Sequence, residues 1–189
     1  MPMKSKLLHT LAFVGPLLAS IVAGSSASAT TVLSNGGVNF QAAGPTRYWH
    51  YDQDAGFCSS TRSTWCQPRN AQWTYSVRGT ATVNNGTWTV PKALQTQIES
   101  RVYAFIPARN ATTSVAPYSV NYMIVSPDNN NRFYPASSTN YVNQLRYYNA
   151  WAQLNTQSSY AWVDNVILFD NTSEAITSKI SFDEIKTEN

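Results

Sequence analysis

The chain carries few groups that could perform acid–base or nucleophilic catalysis. It has two histidines, and only His50 lies beyond the first 29 residues. A Ser-His-Asp arrangement would have to use this residue, which lies in the aromatic run Tyr48-Trp49-His50-Tyr51. No serine lies in a Gly-x-Ser-x-Gly motif. We therefore expect His50 to be packed or at a loop edge, and we expect no enzyme activity.

The carboxylates allow two other kinds of chemistry. Ten acidic residues could include a glycosidase pair, but Asp183 and Glu184 are neighbours whose side chains point to opposite faces of a strand. Asp52 and Asp54 would share a face if extended. They fit an Asx-type turn before Gly56, or they form a weak pair of calcium ligands. We expect no cofactor.

The two cysteines, Cys58 and Cys66, are separated by seven residues. In an exported protein the default is a disulfide bond. Two thiols with this spacing and one nearby histidine do not make a tetrahedral zinc site. We therefore predict a bridge between Cys58 and Cys66.

The first 29 residues have the pattern of a secretory signal peptide. Two lysines in Met1–Lys6 precede the short apolar run Leu7–Gly24, and Ala27-Ser28-Ala29 ends the segment. We expect cleavage to leave residues 30–189 as a single secreted domain with no membrane span. Cleavage would leave 11 basic and 10 acidic residues, a balance that gives no electrostatic basis for nucleic-acid binding.

The hydrophobic pattern is that of strands. Trp73, Tyr75 and Val77 alternate with polar residues, and Asn84-Asn85-Gly86 is typical of a tight hairpin turn. Further strands are predicted at 101–106, 118–125, 141–148, 150–155, 160–169 and 179–185. Only 92–100 has a weakly helical pattern, with Leu94 and Ile98 on one face. The fold class is thus all-β: a jelly-roll-like antiparallel β-sandwich with one short helix.

An ordered series of segments is similar to a known family. It runs from Gly86-Thr-Trp-Thr-Val-Pro91 through Arg101-Val-Tyr-Ala-Phe-Ile-Pro107 and Ala116-Pro-Tyr118 to Tyr160-Ala-Trp-Val-Asp-Asn-Val166. Over about residues 52–169 this order resembles the golvesin C-terminal domain, also described as the xanthan-lyase carbohydrate-binding-like domain. The resemblance implies a secreted jelly-roll module without catalysis that binds polysaccharide. The Cys58–Cys66 segment departs from the family pattern.

Aromatic residues are the best candidates for ligand contact, because the apolar C–H faces of sugars stack on flat rings. The alternation predicts that Trp73, Trp88, Tyr103 and Phe105 lie in the core, and Trp162 as well. The candidates for binding lie on loops or out of phase with the core pattern: Trp65, Trp49, Tyr51, Tyr48 and Trp151, with Arg62 and Arg69 as hydrogen-bond donors.

The hypothesis from sequence is a secreted, non-catalytic carbohydrate-binding-like module that acts on an extracellular or cell-envelope polysaccharide. The alternative is a structural or protein-interaction domain that binds a cell-surface protein. A glycoside hydrolase with carboxylates that no motif identifies is the minor alternative.

The predicted disulfide can be tested by substitution. We expect Cys58→Ser to lower the free energy of unfolding by about 2–3 kcal/mol without changing the fold, because the open chain gains entropy when it unfolds. Thermal melting of the protein with and without reductant measures the effect. Equal melting temperatures would show that no bridge forms.

Overall fold

A computed structural model describes residues 30–52, 55–57, 71–79, 81–95, 100–125, 133–157 and 161–188. Within these ranges the chain forms twelve strands, with 3₁₀ turns at Thr46–Tyr48, Lys92–Leu94 and Gln144–Arg146. The strands are β1 (Thr30–Leu33), β2 (Phe40–Ala43), β3 (His50–Asp52), β4 (Ala71–Tyr75), β5 (Asn85–Thr89), β6 (Ser100–Ile106), β7 (Ala116–Val125), β8 (Phe133–Val142), β9 (Ala150–Gln157), β10 (Ala161–Phe169), β11 (Lys179–Phe182) and β12 (Ile185–Glu188).

The strands form three antiparallel sheets. The five-stranded sheet has the order β2-β5-β10-β7-β8, the four-stranded sheet β1-β12-β6-β9 and the three-stranded sheet β11-β4-β3. Two residues separate β11 from β12, so the two smaller sheets are joined by a short connection. The prediction of an all-β sandwich is confirmed. The segment predicted to be helical contains the 3₁₀ turn Lys92–Leu94, and its residues 96–99 lie outside the described ranges.

One hydrophobic cluster lies between the five-stranded sheet and the two smaller sheets. Trp88 of β5 is 1% exposed, and its ring lies 6.5 Å from the ring of Phe182 on β11. Gln144 is also buried in the cluster; its side chain donates to Tyr118 Oη and accepts from Ser181 N. Packing of apolar side chains from all three sheets therefore forms one core, and its buried amide is hydrogen-bonded.

Three of the predicted core aromatics lie on outward faces instead. Trp73, Tyr103 and Trp162 are only partly buried, while their small neighbours point inward, such as Thr74 (0% exposed) and Ala161 (2% exposed). Strand alternation divides side chains between two faces but does not say which face is inside. The prediction for Trp88 is confirmed. Phe105 is buried too, but on an outward face.

The predicted hairpin at Asn84–Gly86 is wrong. Asn85 and Gly86 lie inside β5, where Gly86 pairs with Ala42 and Leu168. A Cβ at Gly86 would lie 2.7 Å from Phe182 Cδ1 and 2.8 Å from Phe40 Cε2. The glycine therefore permits close packing of two phenyl rings, and no turn is needed.

Two strand predictions are also corrected. The 141–148 strand does not form; β8 ends at Val142 and a 3₁₀ turn follows. β8 contains Pro135 and is an edge strand, where a missing backbone donor does little harm. The predicted 179–185 strand divides at Asp183 and Glu184, because these residues lie between β11 and β12.

Asp183, which connects the two smaller sheets, is buried with a carboxyl group that accepts the Phe57 N–H at 2.9 Å. Its backbone carbonyl accepts the Trp88 indole N–H at 3.1 Å. Burial raises the pKa of the Asp183 carboxyl well above its ordinary value, and the negative charge of Glu184 adds to the rise.

We expect Gly86→Ala to lower the free energy of unfolding by about 1–3 kcal/mol, because the new methyl group overlaps Phe182 and Phe40 in a packed core. Gly36→Ala is the matched control, since a Cβ at Gly36 meets no atom within 4 Å. Urea denaturation measures both variants. Equal effects at the two positions would contradict close packing at Gly86.

The raised pKa of Asp183 predicts the sign of a pH effect. Between the unfolded pKa, about 3.9, and the raised folded pKa, the folded state binds more protons, so the free energy of unfolding falls as pH increases. We expect Asp183→Asn to reduce this fall, because the amide keeps an acceptor for Phe57 N but cannot ionise. Urea denaturation from pH 4 to 8 tests it; parallel curves for the two proteins would contradict it.

Candidate functional site

The candidate binding residues are only partly described, and those that are do not form one cluster. Tyr48, Trp49, Tyr51 and Trp151 lie in the described ranges. The other predictions concern residues outside the described ranges: the ligand contacts of Trp65, Arg62 and Arg69, the Cys58–Cys66 bridge, the calcium role of Asp54 and the signal peptide at 1–29.

Trp49 is corrected as a ligand-binding candidate. The side chain is 8% exposed and packs edge-on against Phe182 at 4.8 Å. Its indole N–H donates to the Ala43 carbonyl at 3.3 Å. A ring enclosed in this way cannot stack on a ligand; it anchors the segment that carries Tyr48.

A pocket of about 310 Å³ lies beside Tyr48. Its lining is mainly apolar, and two tyrosine rings contribute to it. The lining residues are Tyr48, Tyr75, Ser76, Val77, Val83, Asn84 and Ile176. This volume is at the lower end of the range for small-molecule sites and suits a ligand of one or two rings.

Tyr48 reaches the pocket from the 3₁₀ turn Thr46–Tyr48, which is stabilised by the Trp49 N–H donating to the Thr46 carbonyl. The Tyr48 side chain is 41% exposed. Arg47 lies over its ring at 4.8 Å and donates to its hydroxyl at 3.0 Å. The ring is therefore oriented by a neighbouring cation while much of its surface stays open to solvent.

Tyr75 belongs to an outward-facing aromatic group on the three-stranded sheet. Trp73 stacks on His50 at 4.1 Å, and Tyr75 meets the Trp73 ring edge-on at 5.1 Å. Lys179 Nζ lies 4.5 Å from the Trp73 ring centroid. Because β3 and β11 flank β4 on opposite sides, His50 and Lys179 cover both faces of the indole. Trp73 therefore supports Tyr75, which is 44% exposed, and does not itself offer a stacking surface.

A chain of polar contacts holds Lys179 in this position. Its Nζ donates to Asn110 Oδ1 at 2.8 Å, and Asn110 Nδ2 donates to Asp52 Oδ2 at 2.6 Å. Arg109 lies 4.0 Å from the other Asp52 oxygen. Both carboxylate oxygens of this proposed calcium ligand thus contact protein groups. Among the residues in the described ranges, no three His, Cys, Asp or Glu side chains are grouped to hold a metal ion.

The inner wall of the pocket depends on Asp170, which directly follows β10. The buried carboxylate accepts hydrogen bonds from Val83 N at 3.0 Å, Asn84 N at 2.7 Å and Asn84 Nδ2 at 2.8 Å. Its backbone carbonyl accepts the Val77 N–H at 2.8 Å. Burial raises the pKa of the Asp170 carboxyl, although these hydrogen bonds act in the opposite direction.

Glu174 orders the loop that carries Ile176. Its carboxylate accepts hydrogen bonds from Ser114 N at 2.9 Å and from the hydroxyls of Thr113 and Ser114. Ile176 is 67% exposed and forms an outer wall of the pocket. The pocket is thus built from the turn that carries Tyr48, the end of β4 and two loops held by hydrogen bonds to Asp170 and Glu174. No sequence motif identifies these parts.

The remaining described candidates lie elsewhere. Tyr51 is 66% exposed on β3. Trp151 is partly buried on the outward face of the four-stranded sheet, where it packs against Phe57 and Phe105 at 4.8 and 5.3 Å. Lys186 Nζ lies 5.0 Å from its ring. Tyr75 was not among the binding candidates. The alternation along β4 would have indicated it as an exposed ring if the outward face of that strand had been known.

Among the described residues, the side chains that line the pocket are aromatic, aliphatic, hydroxyl or amide groups. The buried carboxylates Asp170 and Asp183 accept backbone N–H groups instead. In the part of the chain that the structure describes, no helix is long and apolar enough to cross a bilayer.

Comparison with known proteins identifies the fold but no family. No family model matches the chain, and no curated protein does. A xanthan lyase from Paenibacillus contains a similar structure, with a TM-score of 0.56 and 16% identity over 84% of this chain and 13% of the lyase. The chain therefore spans a small part of the lyase's length, and the similarity is one of fold.

Two weaker similarities involve carbohydrate-binding proteins. The CBM22-1–GH10 modules of Clostridium thermocellum xylanase 10B, solved with xylohexaose, align with a TM-score of 0.43 and 11% identity over 80% of this chain and 26% of that one. The family 32 module of C. perfringens NanJ, solved with galactose, aligns with a TM-score of 0.40 and 9% identity over 84% of this chain and 100% of that one. Both TM-scores are below 0.5.

Proposed function

We propose that this protein is a secreted, non-catalytic module that binds an extracellular or cell-envelope polysaccharide through the pocket between Tyr48 and Tyr75. The observation that carries the proposal is the placement of two half-exposed tyrosine rings on a pocket with aliphatic walls. Tyrosine rings offer an apolar face for the C–H surface of a sugar and a hydroxyl at the edge. The signal-peptide pattern of residues 1–29 is consistent with export.

The size of the pocket limits how much of a glycan it can hold. A volume of about 310 Å³ accommodates a small ligand but not a long stretch of polymer. We therefore expect the pocket to take one sugar ring at a chain end or a side branch. Its aliphatic walls favour the less polar face of that ring, because burying a hydroxyl without a partner costs free energy.

Retention on a panel of insoluble and gel-embedded polysaccharides tests the function, with protein expressed from the full sequence and assayed with calcium and with chelator. We expect Tyr75→Ala and Tyr48→Ala each to weaken binding about tenfold, which corresponds to about 1.4 kcal/mol. Tyr148→Ala is the matched control, because Tyr148 is 77% exposed and does not line the pocket.

Two results would contradict the proposal. Folded protein that no polysaccharide retains would leave protein interaction as the alternative function. If Tyr75→Ala, Tyr48→Ala and Tyr148→Ala are all retained as strongly as the unaltered protein, the pocket is not the binding site.

A further inference from the structure

A second group of polar side chains lies on the outward face of the five-stranded sheet. In β10 the register against β7 shifts between Val163 and Asn165. Such a bulge places two residues of one strand opposite one residue of its partner and redirects a side chain. Asp164 and Asn165 therefore both lie beside Asn121 of β7, at a position where regular alternation would place one polar group.

These side chains form a hydrogen-bonded row. Asn121 Nδ2 donates to Asn165 Oδ1 at 2.6 Å, and Asn165 Nδ2 donates to Asp164 Oδ2 at 2.8 Å. Gln95 Nε2 contacts Asp164 Oδ1 at 3.4 Å. All four residues are partly exposed. Gln95 Nε2 also donates to the Val90 carbonyl at 3.1 Å, so both of its N–H groups are used. Asn121 Nδ2 and Asn165 Nδ2 each have a second N–H, and the oxygens keep further lone pairs, so the row is oriented and still able to bind hydroxyl groups.

Aromatic rings lie at both ends of this face. Trp162 pairs with Met123, one outward position along β7 from Asn121, and its ring lies 4.9 Å from the ring of Phe133, which is 50% exposed. Tyr141, at the opposite end of β8, is 69% exposed. At about 3.4 Å per residue, roughly 27 Å of strand separates Phe133 from Tyr141. Exposed Ser137 and Thr139 lie between them.

The charge of this face restricts the ligand. The five strands of the sheet contain no lysine or arginine, and Asp164 is the only charged residue in them. A glycan that carries carboxylates would find no cation among these strands and would be repelled by Asp164. A neutral glycan would match the amides, hydroxyls and rings.

We propose that the outward face of the five-stranded sheet is a second binding surface, which holds an internal stretch of an extended, neutral polysaccharide chain. The proposal rests on the proposed function, since it assigns the same ligand class to a different surface. The pocket holds one ring, while this face has the length for several. A protein with both can bind one chain at two points, or two chains, with a gain in avidity.

The test is affinity electrophoresis of the full-length chain through gels that contain hydroxyethyl cellulose, arabinoxylan or galactomannan. Carboxymethyl cellulose and polygalacturonate serve as acidic probes. The variants are Trp162→Ala and Asn121→Thr, with Tyr148→Ala as the control and Tyr75→Ala to report on the pocket. Urea denaturation establishes that each variant is folded.

We expect at least one neutral polymer to retard the protein, and carboxymethyl cellulose to retard it less than hydroxyethyl cellulose. Trp162→Ala and Asn121→Thr should each weaken retardation about tenfold or more, and combination with Tyr75→Ala should abolish it. If Tyr75→Ala weakens binding while Trp162→Ala and Asn121→Thr do not, the second surface is excluded and the pocket stands. If no polymer retards the protein, both proposals fail. Stronger retardation by the acidic polymers would also overturn the inference.

Discussion

The buried carboxylate of Asp170 is the interaction on which the candidate site depends. Asp170 directly follows β10 of the five-stranded sheet, and its carboxylate accepts three N–H groups from Val83 and Asn84, the residues that lead into β5. Val77, two residues beyond the end of β4, donates its N–H to the backbone carbonyl of Asp170. Asp170 therefore holds the segment between β4 and β5, which connects the three-stranded and five-stranded sheets, against the end of β10. Without that acceptor, buried N–H groups would lose their partners, each at a cost of about 1–3 kcal/mol.

On two strands, small side chains face the core and large rings face outward. Thr74 and Ala161 face the core, and Trp73 and Trp162 face outward. Close approach of the sheets explains part of this: Gly86 lies against Phe182 and Phe40 with no space for a methyl group. Trp73 and Trp162 therefore remain on outward sheet faces.

The outward faces differ in how their rings are used. On the three-stranded sheet, Lys179 and His50 enclose Trp73, so the indole acts as a support for Tyr75. On the five-stranded sheet, a bulge gathers Asp164 and Asn165 beside Asn121, and the strands carry no cation. We propose that the first surface takes one sugar ring in a pocket and that the second takes an extended chain on an open face.

The sequence by itself determined the strand-rich class, because alternation of large and polar residues every second position is a local property of the chain. It also indicated Tyr48 as a candidate, from a run of rings before a short loop. It misplaced Trp73 and Trp162, since alternation defines two faces and only sheet packing decides which one is buried. Trp49 was expected on an open loop, but it packs against Phe182 of a distant strand.

Tertiary structure alone brought the residues of the candidate site together. Tyr48 and Tyr75 are 27 positions apart in the sequence, and Ile176 is about a hundred further along. They line one pocket because Asp170 and Glu174 join loops that are distant in the chain. Likewise, Asn121 meets Asn165 only through the pairing of β7 with β10 and the bulge between them. Hydrogen bonds between residues so far apart leave no periodic signal in the sequence, because the tertiary arrangement of strands and loops determines which residues meet.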